Sequence, residues 1–168
     1  MATITIKNAR LSFPSLFTKA SFDGKEGKYE ATLLIPKSDT KTYDAIMSAI
    51  DACKKDNKLK TDKLFIVDGD EKEYDGYAGH WAVKASNNVR PTVIDRQRVA
   101  VTAEDELIYA GCYVNAIIEP WAQSNQYGKR INSNLLGVQF FKDGEPFGDG
   151  GKSASADEFD AFDDEDDL

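Results

Sequence analysis

Residues 3–13, TITIKNARLSF, set Ile4 and Ile6, and later Leu11 and Phe13, among polar neighbours, which is the two-residue alternation of a half-buried strand. A second strand is expected over 28–36, KYEATLLIP, stopped by Pro36, and the intervening SLFTKASFDGKEGK reads as a loop with Gly24 and Gly27 as its turn residues. From Ser38 the period lengthens: Tyr43, Ile46, Met47, Ile50 and Cys53 share one helical face, with Ser38 or Asp39 placed to cap the start. Such a face needs a sheet to pack on. Beyond the helix come LFIVDGDEKEYDGYAG, HWAVKASNN, RPTVIDRQRVAV, LIYAGCYVNAIIEPWAQ and LLGVQFFKDGE, short runs of Val, Ile and aromatics punctuated by Gly, Asn and Asp. Many short strands with turn signals and a single internal helix predict a mainly β fold, an antiparallel barrel or sandwich, and a five-stranded barrel with one inserted amphipathic α-helix fits the count.

The pattern stops after Gly148. GDGGKSASADE has the composition of a flexible linker, and the acids that follow cannot bury enough apolar surface to fold, so a domain over 1–149 and a disordered tail over 150–168 are expected. Charge sharpens that division. The chain of 168 residues carries a net charge of −8, and Asp157, Glu158, Asp160, Asp163, Asp164, Glu165, Asp166 and Asp167 supply eight acids with no base among them. Removing those eight from the 29 acids leaves 21, against 21 Lys plus Arg, so the body is neutral and the whole net charge sits at the end. Segregation of this kind marks an interaction tail or a mobile counter-charge. Phe159, Phe162 and the terminal Leu168 stand among those acids, which solubility alone does not require.

Enzymatic motifs are absent. The glycines form neither a phosphate-cradling loop nor a dinucleotide fingerprint, and a single histidine, His80, leaves no metal cluster and no nucleophile–base pair, so no enzyme, cofactor or metal is expected. Glu104, Asp105 and Glu106 are consecutive, which suits a hairpin tip better than a metal site. Cys53 and Cys112 sit in apolar settings and read as reduced core residues of a cytosolic protein rather than a disulfide. The start of the chain lacks the order of a signal peptide and no stretch approaches the roughly 18 apolar residues of a membrane span, so a soluble, intracellular protein without a membrane partner is expected.

What remains is an interleaving of rings and bases on expected strands and loops. It comprises Tyr77, Trp81 and Lys84; Arg90, Arg96 and Arg98; and Tyr113, Trp121, Tyr127, Lys129 and Arg130, with Phe17, Lys19, Phe22 and Lys25 upstream. Single-stranded nucleic acid is gripped in this way, by rings that stack on bases and cations that follow the phosphates. By alternation Trp81 shares a face with Val83 and Ala85, which fits the core as well as a groove, whereas Tyr113 and Trp121 lie opposite Val114, Ala116 and Ile118 and are better placed to face outward. SNQYGKR at 124–130 is expected to be a hairpin loop turned by Gly128, presenting Tyr127, Lys129 and Arg130 to DNA or to solvent. The lysines of KKDNKLKTDK read as a solvated helix C-terminus in preference to a DNA contact.

Four blocks in one order, YEATLLIPKSDTKTYDAI, GHWAVKASNNVRPTVID, YAGCYVNAIIEPWA and LLGVQFFKDGEPFG, resemble the single-stranded DNA-binding proteins of tailed bacteriophages, over about residues 8–148. The resemblance implies an OB-fold barrel that binds single-stranded DNA without sequence preference, has no catalytic activity, serves phage replication and recombination in the cytoplasm of the infected bacterial host, and ends in a flexible acidic tail. The chain departs from its relatives at KRINSNLLGVQ, and at Leu168 where phenylalanine is often found.

Under this reading the tail, Asp157 to Leu168, mimics a phosphate backbone and competes with DNA for the groove. Once displaced, it offers Phe159, Phe162 and Leu168 to a polymerase, helicase or recombinase. The neutral body predicts moderate affinity with a modest dependence on salt, and the oligomeric state, monomer or homodimer, is left open. Two other classes remain: an OB-like interaction module that recruits replication proteins through the tail with little DNA binding, and, more remotely, a magnesium-dependent nuclease built on the clustered acids.

Overall fold

The computed structural model describes residues 3–22 and 24–147. The expected disorder over 150–168 and every tail residue from Asp157 to Leu168 lie outside the described residues. Among the described residues nine strands and one α-helix follow one another: β1 (Ile4–Ser15), β2 (Ser21–Phe22), β3 (Lys25–Glu26), β4 (Tyr29–Pro36), α1 (Thr40–Asp56), β5 (Ile66–Asp68), β6 (His80–Asn87), β7 (Thr92–Ile94), β8 (Tyr113–Asn125) and β9 (Gly128–Lys142).

Five of them close a barrel. β1 pairs antiparallel with both β4 and β8, β4 with β6, and β8 with β9, and β9 returns to lie parallel to β6. This connectivity is that of the OB fold, with α1 inserted between the second and third barrel strands. The alternation read from the sequence is what fills the interior: Ile6, Leu11, Leu33, Ile35, Val83, Val114, Ile118 and Leu135 point inward from all five strands and are buried. α1 covers the barrel with Ile46, Ile50 and Cys53, and Asp39 caps it by accepting the Thr42 N–H at 3.2 Å. Each aliphatic side chain so buried contributes about 1.5–3 kcal/mol. Both cysteines are buried free thiols, and burial pushes each thiol pKa up.

Local elements depart from expectation where backbone geometry overrides alternation. β1 shifts register between Ile6 and Ala9 and again between Ser12 and Ser15, and Asn8 and Phe13 adopt left-handed backbone with φ of 57° and 47°. Bulges re-aim side chains, so Phe13, read as a continuation of the inward Ile4–Ile6–Leu11 face, instead joins a second, smaller core of Leu34, Tyr77, Ala82, Val67 and Phe147. Glu104 and Asp105 belong to a turn of 3₁₀ helix, Ala103–Asp105, rather than to a hairpin tip, because the Asp105 carboxylate accepts the Thr102 N–H at 2.8 Å and closes the turn locally. The loop between β1 and β4 contains the small β2–β3 hairpin, turned at Gly24 with φ of 74°.

Candidate nucleic-acid interface

Side chains at alternate positions of β4 and β6 leave the barrel wall outward. Register pairs Glu30 with Ser86, Thr32 with Lys84 and Leu34 with Ala82. The last pair is roofed by the second core, and the first two form the floor of an open groove of about 1000 Å³. Its other walls come from Phe13 on β1, Ser21 in the β1–β4 loop, Lys72, Tyr74 and Tyr77 in the loop after β5, and Leu64, Arg130 and Asn132 beside it. The charged groups of this lining are Lys72, Lys84 and Arg130 against Glu30, so a neutral body presents a locally cationic cleft.

Tyr74 is the aromatic feature of the groove. It is 50% exposed, and its ring stands edge-on against Phe13, with centroids 5.1 Å apart, and against Tyr77, also at 5.1 Å. Edge-to-face contacts of this kind fix a ring in place. The loop that carries it is pinned at its base. Lys37 Nζ reaches Asp68 Oδ1 and Asp70 Oδ2, each at 2.6 Å, and Asp70 Oδ1 accepts the Gly79 N–H at 2.7 Å. The shared lysine holds both carboxyls below the usual carboxylate range, and their hydrogen bonds raise Lys37 above its ordinary value. Gly69 lies so close to the carbonyls of Tyr77 and His80 that a Cβ would strike both. Phe147 braces the loop from below: it occupies the space a Gly76 side chain would need, and the Arg10 guanidinium lies 4.0 Å from its ring centroid while donating to the Glu145 and Gly111 carbonyls.

Of the residues singled out in the sequence, the groove brings together Lys84, Arg130 and, as a buried wall only 3% exposed, Tyr77, whose hydroxyl donates to Ser12 Oγ at 3.0 Å. The β8–β9 hairpin forms as expected. Gly128 takes φ of 116°, Tyr127 stands at the tip with 78% exposure, and Lys129 is exposed beside it. Trp121 is half-buried on the outer face directly opposite the groove-lining Asn132.

The others lie elsewhere. Trp81 packs half-buried against the main core under α1, stacked on Tyr43 with centroids 4.7 Å apart and with Lys37 Nζ 4.9 Å from its ring, away from the groove lining. Tyr113, at the far end of β8 from Trp121, is flanked by Lys142 Nζ at 4.8 Å and Arg10 at 5.9 Å. Arg90 lies 5.5 Å from the Phe17 ring and Arg96 5.6 Å from the Phe141 ring, and Arg98 occupies the turn after β7 with φ of 66°. The sequence reading missed Phe13, Lys72 and Tyr74. The first was hidden by a bulge, and the other two by the acidic surroundings of EKEYDGY. Among the described residues, no group of three or more His, Cys, Asp or Glu could hold a metal ion, and no helix is long and apolar enough to cross a membrane.

An OB barrel with an open, cationic, ring-walled groove across its second and third strands defines an oligonucleotide-binding class of protein. Within that class the chain belongs to the family described as the ssDNA-binding protein of Enterobacter phage Enc34, whose model matches residues 2–168. It is 43% identical over 171 aligned positions to protein p50 of Acyrthosiphon pisum secondary endosymbiont phage 1, covering 94% of this chain and 92% of that protein. Among solved structures it is similar to the single-stranded DNA-binding protein from bacteriophage Enc34 in complex with ssDNA, at a TM-score of 0.81 and 40% identity over 87% of this chain and 89% of that one. The C-terminal truncation of the same Enc34 protein superposes with a TM-score of 0.78 at 39% identity, covering 86% and 88% of the two chains.

Proposed function

We propose that this protein is a phage single-stranded DNA-binding protein, without catalytic activity, that holds DNA in the β4–β6 groove irrespective of sequence. The carrying observation is the pairing of an exposed, pre-positioned ring, Tyr74, with the cations Lys72, Lys84 and Arg130 around one open cleft. Bases stack on the ring, every base having a π-face, while the cations follow the phosphates. Both interactions are indifferent to base identity, which is what a protein that coats arbitrary single strands requires. Tyr127, Lys129 and Trp121 extend the same surface over the β8–β9 hairpin. Membership of the Enc34 family and likeness to a relative solved with ssDNA support the reading.

Protection and organisation of single strands in replication and recombination, in the cytoplasm of the infected bacterium, follow as its role. The tail has a second part in the proposal. Phe147 is packed under the loop that carries Tyr74, so the 21 residues beyond it start beside the groove and, fully extended, reach roughly 70 Å. A tethered run of carboxylates there competes with phosphates at high effective concentration. Once DNA displaces it, Phe159, Phe162 and Leu168 are free to dock on replication proteins.

Titration of tryptophan fluorescence with an unstructured thymine oligonucleotide, for the full chain and a form ending at Lys152, tests both parts. The full chain is expected to quench, the shortened form to bind more tightly, and the gap to shrink as salt rises. Absence of binding by either form at low salt would overturn the DNA-binding reading in favour of a module that acts through its tail alone.

A further inference from the structure

The lysine-rich segment after α1 is built into the fold beside the groove. The last turn of α1 carries Lys54 and Lys55 before Asp56, and Lys58, at φ of 51°, turns the chain. The following residues are then fastened to the start of β9: Thr61 Oγ1 donates to the Lys129 carbonyl at 2.7 Å, the Ile131 N–H donates to the Lys63 carbonyl at 3.0 Å, and Leu64 bridges Ile131 in parallel. Leu59 and Phe65 are buried at either end, and Lys84 N–H donates to the Phe65 carbonyl, so the segment is a strap held along its length. Leu64, Phe65 and Arg130 line the groove itself, so the strap begins where the groove ends. Lys58, Lys60 and Lys63 are exposed and make no ion pair with any described residue, and with Lys129 and Arg130 they set five cations against the single acid Asp62.

We propose that this strap is a second DNA track: a strand leaving the groove at Arg130 continues over the β8–β9 hairpin onto Lys58, Lys60 and Lys63. The reading rests on the groove as the primary site. It departs from the solvated helix end that the sequence favoured: the Lys58 N–H still closes on the Lys55 carbonyl, but the bonds to β9 fasten the stretch from Thr61 to Leu64 beside the groove-lining Arg130. The bonds to β9 fix the backbone that carries these cations, and each phosphate contact their side chains make releases counterions. The track is independent of sequence, like the groove, and lengthens the site without any further ring.

The test uses the full chain and the variant K58Q/K60Q/K63Q, with thymine oligonucleotides of about 6 and about 20 nucleotides, either side of much of the range that one OB fold occupies. Affinity is measured by anisotropy across a salt series. On the long oligonucleotide the slope of log affinity against log salt is expected to flatten by about 2, at about 0.7 for each lost phosphate contact, with at least a roughly tenfold loss near 50 mM salt. On the short oligonucleotide wild type and variant are expected to coincide, which also shows the variant to be folded. Equal slopes on the long oligonucleotide, or an equal loss on both lengths, would overturn the track. Failure of the wild type to bind either length would instead remove the groove reading, and the track with it.

Discussion

Tyr74 and Tyr113 are both tyrosines on the outer surface of one barrel, yet their surroundings differ. Tyr74 presents a half-exposed face into the groove and is held edge-on by Phe13 and Tyr77, whereas Tyr113 is flanked by Lys142 and Arg10 at the other end of β8. Replacing Tyr74 by alanine is therefore expected to weaken binding of single-stranded DNA by about 1–3 kcal/mol with little change in melting temperature, and Y113A to leave affinity within error. Isothermal titration on both variants checks this, and a larger loss in Y113A than in Y74A would move the binding surface off the groove. Phe13 shows why such a platform is hard to read from residues alone. Its φ of 47° takes it out of the strand's alternation, and left-handed backbone at an aromatic is uncommon.

At the scale of elements, the loop from Gly69 to Gly79 behaves as one piece because Lys37 bridges Asp68 and Asp70 at its base. Asp68 and Asp70 are depressed by that lysine, so the clamp is complete above the ordinary carboxylate range and is lost only as pH falls through the lowered values; Lys37, raised, keeps its charge beyond its usual value at the alkaline end. DNA affinity is accordingly expected to be insensitive to the clamp between about pH 5 and 9, and K37M to weaken binding across that window by freeing the Tyr74 loop. Binding by K37M equal to wild type at pH 7 would show that the clamp does not position Tyr74. The same loop cannot accept a side chain at Gly69, since a Cβ would meet the Tyr77 and His80 carbonyls, and G69A is expected to lower the melting temperature as well as affinity.

Across the whole molecule the barrel has one thin seam. β6 and β9 are paired in parallel only at Ser86 and Asn134, and the closure is completed by side chains: Ser133 Oγ donates to the Lys84 carbonyl at 2.7 Å and Asn87 Nδ2 to the Leu135 carbonyl at 3.1 Å. Ser133 is buried and lines the groove directly beneath Lys84. S133A leaves a polar group unpaired there, which costs about 1–3 kcal/mol. The variant is expected to lose that much stability in a denaturant melt and to exchange the β6–β9 amides faster, with the β8–β9 amides unchanged. Uniform acceleration over all strands would place the weakness elsewhere.

The mainly β class, the inserted helix and its Asp39 cap, the β8–β9 hairpin and the ordered family blocks were legible along the chain because each depends on neighbours a few residues away: period two, period three to four, or a glycine at a turn. The segregation of charge into the last residues is likewise a property of order alone. Which outward rings share one groove was not legible. Alternation separates Trp81 from Lys84 on one strand, but nothing along the chain brings together Tyr74, Lys84 and Arg130, which line one cleft. The lysines after α1 read as a helix end along the chain, and only the bonds of Thr61 and Lys63 to β9 bring the stretch that carries them beside the groove-lining Leu64 and Arg130. Alternation tells in from out along a strand, but only barrel closure, bulges and long-range loop packing decide which outward surfaces meet, and the candidate site is made of such meetings.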